Sequence, residues 1–354
     1  MRTTISNISR ALKAAVMLSA GAIAISCEVE FDIKGQFADS MVYVDMIATA
    51  GADSTFLRVQ AATPLKDSSN PVYTRDENIE VLVNGSSLLM QKDMRRSSPS
   101  GYQVYFTDRK LLPEDKIEIR AEVPGSGTAQ SECVVPGQIK DFRYDTRIIK
   151  DGQDEYVRFN ISFPNDGEYS GYYGVAVEVE SFREVYFRAY DENTGDYLVD
   201  ENTGENIWKL NSSSTNVRAN NPVNIGADLG VSSSGDSPMT FPMTRNANHC
   251  PVAAWSDKTG SGDTSFQVNV HFDNDIIRDY GSSKLINKYR YRLVLYDFSE
   301  SAYKHYKSTY SLSTSDLSEI GLAAPSFLYT NIRNGVGVCG AYTVSESDWI
   351  SLAY

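Results

Sequence analysis

Apolar and charged residues alternate without a fault along Lys116–Val123, KIEIRAEV. Ile117, Ile119, Ala121 and Val123 fall on one side and Lys116, Glu118, Arg120 and Glu122 on the other. A period of two is the pattern of a strand with one buried face. The same alternation runs through YVRFNISF at 156–163, with Val157, Phe159, Ile161 and Phe163 on one side, and through FQVNVHF at 266–272. NIEVLVNGSSLLM at 78–90 reads as two strands about Asn84-Gly85, the dipeptide that best supplies the two positive φ angles of a tight hairpin. MVYVDMIAT, TFLRVQAA and YQVYFTD add further short strands before residue 110, and YYGVAVEVES and KYRYRLVLYDF add longer ones after residue 170.

About seven strands in the first roughly 105 residues imply an immunoglobulin-like or transthyretin-like sandwich. Pro136 and Gly137 break the pattern just after a strand and mark a boundary. The expected fold is mainly β, with two β-sandwich-like domains at 27–136 and 137–354, the second larger. Ser/Asn/Gly-rich stretches around 211–235 and 256–263 read as long loops. One segment breaks the β pattern. SESAYKHYKSTYSLS at 299–313 opens on a serine cap followed by Glu300 and sets Tyr303, Tyr306 and Tyr310 on one helical stripe. This predicts a short helix near the C-terminus that docks its tyrosine face on a sheet; an aromatic ladder for a ligand is the alternative.

The first 26 residues are of another kind. Arg2, Arg10 and Lys13 appear with no acid, and an apolar run follows from Ala14 to Ile25. A basic start and a short apolar core make a secretory signal, and the run is too short to span a bilayer. Ala24-Ile25-Ser26-Cys27 resembles a bacterial lipobox, which implies lipidation at Cys27 as the first mature residue. Glu28, Glu30 and Asp32 then resemble the acidic tract that directs lipoproteins of the Bacteroidota to the outer face of the outer membrane. The alternative is a solvated acidic linker.

The 354-residue chain carries a net charge of −13, which becomes −16 once residues 1–26 are removed. Such a body lacks the basic footprint that nucleic acid requires. Hydrophobic residues at 41% suffice for real cores, and tyrosine is abundant at 22 residues, which suits half-wet strand faces. Besides Cys27 there are three cysteines, Cys133, Cys250 and Cys339. One disulfide is compatible with an oxidising envelope, and Cys250 with Cys339 is the expected pair because both lie in the second domain; buried free thiols explain them equally well.

Chemistry is sparse. No G-x-S-x-G or H-E-x-x-H motif occurs, and His249, His271 and His305 fall on an expected loop, strand and helix. No catalytic residue and no cofactor is expected. DENTGDYLVDENTGEN at 191–206 repeats Asp-Glu-Asn-Thr-Gly at an offset of nine residues. Asp191, Asn193, Asp196 and Asp200 form a weak Ca²⁺ candidate; two turns around a short strand explain them more simply. Trp208 and Trp255 stand near polar loops and are candidates for stacking on a sugar, Trp255 the better placed.

Several pieces in order carry a resemblance over the mature chain: the lipobox and acids at 24–32, the VLVNG hairpin, the linker after VVPG, RLVLYDFSESAYKHY, and LYTNIRNGVGVCGAYTVS at 328–345. Together they resemble a Bacteroidota family of outer-membrane lipoproteins, domain-of-unknown-function family number 4249. The most specific part is Asn331-Ile332 followed by a strand spaced by Gly335, Gly337 and Gly340. The resemblance implies an envelope location and a neighbouring TonB-dependent transporter, and no reaction. The expectation is a non-enzymatic surface lipoprotein, held to the outer membrane by its lipid, that assists such a transporter or captures a ligand for it. The alternatives are a fimbrial or adhesin-type subunit and an envelope enzyme with an unrecognised site.

Overall fold

A computed structural model describes residues 40–62, 77–97, 102–151, 154–165, 169–211, 216–218, 237–245, 248–257, 263–271, 277–313 and 328–352. The first half supplies β1 (Met41–Thr49), β2 (Thr55–Ala62), β3 (Asn78–Val83), β4 (Ser86–Ser87), β5 (Gln91–Lys92), β6 (Gln103–Thr107), β7 (Lys116–Val123) and β8 (Gly127–Val134). β4 and β7 flank β3 and β8 follows β7, making a four-stranded sheet. Its alternating apolar side faces β1, β2 and β6. Ile117, Ile119, Ala121 and Val123 meet Val42, Val44, Met46, Leu57 and Val59 in one buried cluster. The hairpin at Asn84-Gly85 has φ of 52° and 75°, the left-handed pair that the sequence predicts.

The second half supplies β9 (Arg143–Asp151), β10 (Asp154–Phe163), β11 (Tyr172–Arg188), β12 (Trp208–Leu210), β13 (Asn216–Arg218), β14 (Met239–Arg245), β15 (Asn248–Ser256), β16 (Thr264–His271), β17 (Ile277–Asp279), β18 (Ser283–Phe298), helix α1 (Glu300–Ser313), β19 (Gly335–Glu346) and β20 (Ile350–Ser351). β13 lies in the stretch expected to be a loop and pairs with β11. β16, β10 and β9 form a small sheet whose apolar side packs on β11, β15 and β18. The opposite face of the same long strands, extended by β14 at its edge, is covered by α1. This double burial explains the unbroken run RLVLYDF. Leu293 and Leu295 point into one core, and Val294, Tyr296 and Phe298 into the other.

Val135 belongs to the first buried cluster and Ile139 to the second, while Ile332, Cys339 and Ala341 from the far end of the chain join the first. The final strand crosses back. β19 pairs antiparallel with β18 through Phe298–Tyr342 and parallel with β1 from Val42–Gly335 to Thr49–Tyr342. A single sheet therefore runs β14-β15-β11-β18-β19-β1-β2-β6-β5, and residues 40–354 group as one unit.

β18 ends at Phe298, so the first half of β19 has an open edge on that side. Side chains close it. Asn331 accepts from the Cys339 N–H at 2.9 Å and donates to the Cys339 carbonyl at 2.8 Å, and Ser301 donates to that carbonyl at 2.7 Å. Ser299 is the helix cap, its Oγ accepting from Ala302 N–H at 3.3 Å and also from Ala341 N–H at 2.9 Å. The glycine spacing now has a cause. Gly337 sits at φ 113°, and a Cβ there would lie 1.9 Å from the Val44 carbonyl oxygen, while one at Gly340 would press on Ala302 at 3.0 Å.

Candidate functional site: an arginine-lined groove

The outward face of β1, β2 and β6 is not flat. Strand register sets Asp45 beside Arg58 and Arg58 beside Val104. Together with Ile47 and Phe56 they floor a groove of about 480 Å³, walled by Arg95, Arg96 and Tyr102. The wall is a tight turn built by Asp93. Its carboxylate accepts from the Arg95 and Arg96 N–H groups at 2.9 and 3.1 Å and from the Arg96 guanidinium at 2.9 Å. Ser97 ties the turn to β6, donating to the Asp93 carbonyl at 2.6 Å and accepting from Val104 N–H at 3.0 Å.

Two guanidiniums are stacked on rings. Arg96 lies 4.3 Å from the centre of Phe56, and Arg58 lies 4.6 Å from that of Tyr102. Arg58 approaches Asp45 only at 4.0 Å, and Arg95 has no acidic partner among the described residues. Three guanidiniums thus face two carboxylates in a chain of net charge −13. Burial pushes the Tyr43 hydroxyl beside this floor up to about 12, with the Asp45 charge adding to the shift. Asp45 also faces His305 on α1, whose imidazole burial holds below its usual range against the pull of that carboxylate. A planar, always-charged fork on an aromatic plate is suited to a carboxylate or phosphate borne on an apolar or ring body. The signal in the sequence was Arg95-Arg96, a basic pair between Asp93 and two serines in an acidic chain. A second hollow of about 470 Å³ lies on the outer side of the four-stranded sheet. Glu80, Glu118 and Glu132 there balance Arg120 and Arg333, so it has no surplus positive charge.

The residues singled out from sequence are scattered. Cys27, Glu28, Glu30 and Asp32 lie outside the described residues. Trp255 is fully buried, its ring 4.6 Å from Phe266 and 6.1 Å from Tyr173, which removes it as a sugar platform. The cause is β15, which continues through Trp255 to Ser256 and pairs with β11, turning an expected loop anchor inward. Trp208 remains half-buried on β12 with Lys284 over its ring at 5.9 Å. Asp191 and Asp200 each cap their own turn. Asn193 N–H donates to Asp191 at 2.7 Å, and Asn202 and Thr203 donate to Asp200 at 2.8 and 3.1 Å. These bonds hold the Asp200 carboxyl below its usual range. Among the described residues no three acidic, histidine or cysteine side chains gather as a metal would need.

The tyrosine stripe docks as expected. Tyr303 is buried against Tyr172, and Tyr306 stacks on Phe241 at 4.6 Å. The expected cysteine pair does not meet. Cys250 lies on β15 opposite Met243, and β11 and β18 separate that strand from β19. Cys339 lies instead with its sulfur 3.3 Å from that of Cys133.

The family model for a domain of unknown function, DUF4249, matches residues 27–348. The chain belongs to that family. The DUF4249 match takes in both halves of the long sheet and the groove between β1, β2, β6 and the Arg95–Arg96 turn. No curated protein matches the chain. Among the described residues of this DUF4249 protein, no helix is long and apolar enough to cross a membrane.

Proposed function

We propose that this DUF4249 protein is a non-enzymatic capture protein of the Bacteroidota envelope, lipidated at Cys27, exported to the outer face of the outer membrane by Glu28, Glu30 and Asp32, and working beside a TonB-dependent transporter. The observation that carries the capture role is the groove, which concentrates Arg58, Arg95 and Arg96 beside Phe56 and Tyr102 in an acidic body. Its ligand is an anion on an apolar or ring body. The start of the family match at Cys27 supports the lipid anchor, since the family's extent then begins at the expected first mature residue.

The test has two parts. Tagged full-length protein is recovered from its own detergent-solubilised outer membrane beside a Cys27→Ala control. A transporter that co-purifies with the first and not the second is expected; recovery of the lipoprotein alone refutes the transporter role. Calorimetry then compares benzoate with benzyl alcohol. Binding of the anion, weakened about 10-fold or more by Arg58→Ala or Arg95→Ala, is expected from the loss of one charge-assisted bond. Equal heats for anion and alcohol refute the groove as the site.

A further inference from the structure

We propose that Cys133 and Cys339 form a disulfide when the chain folds in an oxidising compartment, fastening the last long strand to the first sandwich. The two sulfurs already lie 3.3 Å apart, so closing to a bond of roughly 2.05 Å moves them by only about 1.2 Å. Both thiols are buried in the same apolar cluster, Cys339 completely and Cys133 at 8% exposure. Their backbones are held on both sides of the pair. Gln130 of β8 exchanges two main-chain bonds with Arg333, at 3.1 and 2.7 Å, and Ser131 donates to the Asn331 carbonyl at 3.0 Å. Asn331 in turn grips both main-chain groups of Cys339. The finished fold therefore accommodates the bond, and a disulfide adds no long-range rearrangement.

The oxidant is a small or protein disulfide. A thiolate of the pair attacks one sulfur of that disulfide and expels the other as a thiol; the second thiolate attacks the mixed disulfide and expels the remaining thiol. Two electrons pass to the oxidant, whose two sulfurs leave carrying the two protons. Complete burial bars the oxidant from Cys339 in the finished fold, so the exchange precedes the seating of β19 between β18 and β1. Once seated, the same burial shields the bond from reductant. The link closes over 206 residues, a separation at which loop closure restricts the unfolded chain strongly. Neither the ligand nor the transporter enters this inference.

The experiment uses the full chain in detergent. It is equilibrated in reduced-to-oxidised glutathione mixtures with enough urea to let β19 exchange, then alkylated and digested without reduction. Oxidising mixtures should yield a linked peptide pair containing Cys133 and Cys339 and lacking two hydrogen atoms, with Cys250 alkylated. Adding reductant in the same urea, which reopens β19, should then lower the melting temperature by about 5 °C, and this response should vanish in Cys133→Ala. Alkylation of both Cys133 and Cys339 under the most oxidising mixture, or a pair that includes Cys250, overturns the inference. The wild-type peptide map decides this even if Cys133→Ala fails to fold.

Discussion

Asp297→Asn should stabilise this protein at neutral pH and leave it unchanged in acid. Asp297 is completely buried on β18, between Tyr173 of β11 and Thr343 of β19 in the strand register. Burial pushes its carboxyl from the usual 3.8 to about 7, although Ser170 donates to it through both Oγ and, at 3.4 Å, N–H. Between about pH 4 and pH 7 the folded chain keeps a proton on Asp297 that the unfolded chain has released. The folded state binds more protons there, so stability falls as pH rises through the window and is fully present below it. A shift of about three units corresponds to about 4 kcal/mol. Asparagine keeps the shape and removes the ionisation, and Ser170 retains an acceptor in the Phe298 carbonyl at 2.6 Å. Urea unfolding followed by tryptophan fluorescence, near pH 4 and near pH 8, measures the difference between variant and wild type. It should be within about 1 kcal/mol in acid and reach about 4 kcal/mol in favour of the variant in base. A difference that does not change with pH, or a variant weaker at pH 8, would show that Asp297 is ionised at no such expense in the fold.

Gly337→Ala forces a Cβ onto the Val44 carbonyl at positive φ, and backbone cannot yield as a side-chain tip can. It should cost about 3 kcal/mol or more and speed amide exchange along β1. Asn331→Ala orphans the Cys339 N–H while Ser301 still serves the carbonyl, so urea unfolding should show a loss of about 1–3 kcal/mol. Asn331→Asp keeps the acceptor and should lose less. Trp255→Ala empties a core site and should cost about 3–5 kcal/mol, whereas Trp208→Ala at the half-buried β12 should change stability by under about 1 kcal/mol.

Local pattern alone marked the most regular strands and where the helix begins. Met41–Thr49, Thr55–Ala62 and Lys116–Val123 fall on the segments whose period-two alternation marks them, because alternation reports one dry face whatever lies across from it. Ser299 and the Tyr303–Tyr306 stripe likewise announced a capped, docked helix. What pattern does not carry is partnership across the chain. That β19 inserts parallel beside β1, that Cys339 meets Cys133 instead of Cys250, and that Trp255 is core are outcomes of long-range pairing between segments up to about 300 residues apart, which no local window contains. The groove is of the same kind. Asp45, Arg58 and Val104 become neighbours only through the β1–β2–β6 register, and the Asp93 turn brings Arg95 and Arg96 over them. Sequence spacing sets the face on which a strand residue stands; the tertiary pairing of strands decides which other faces it stands beside.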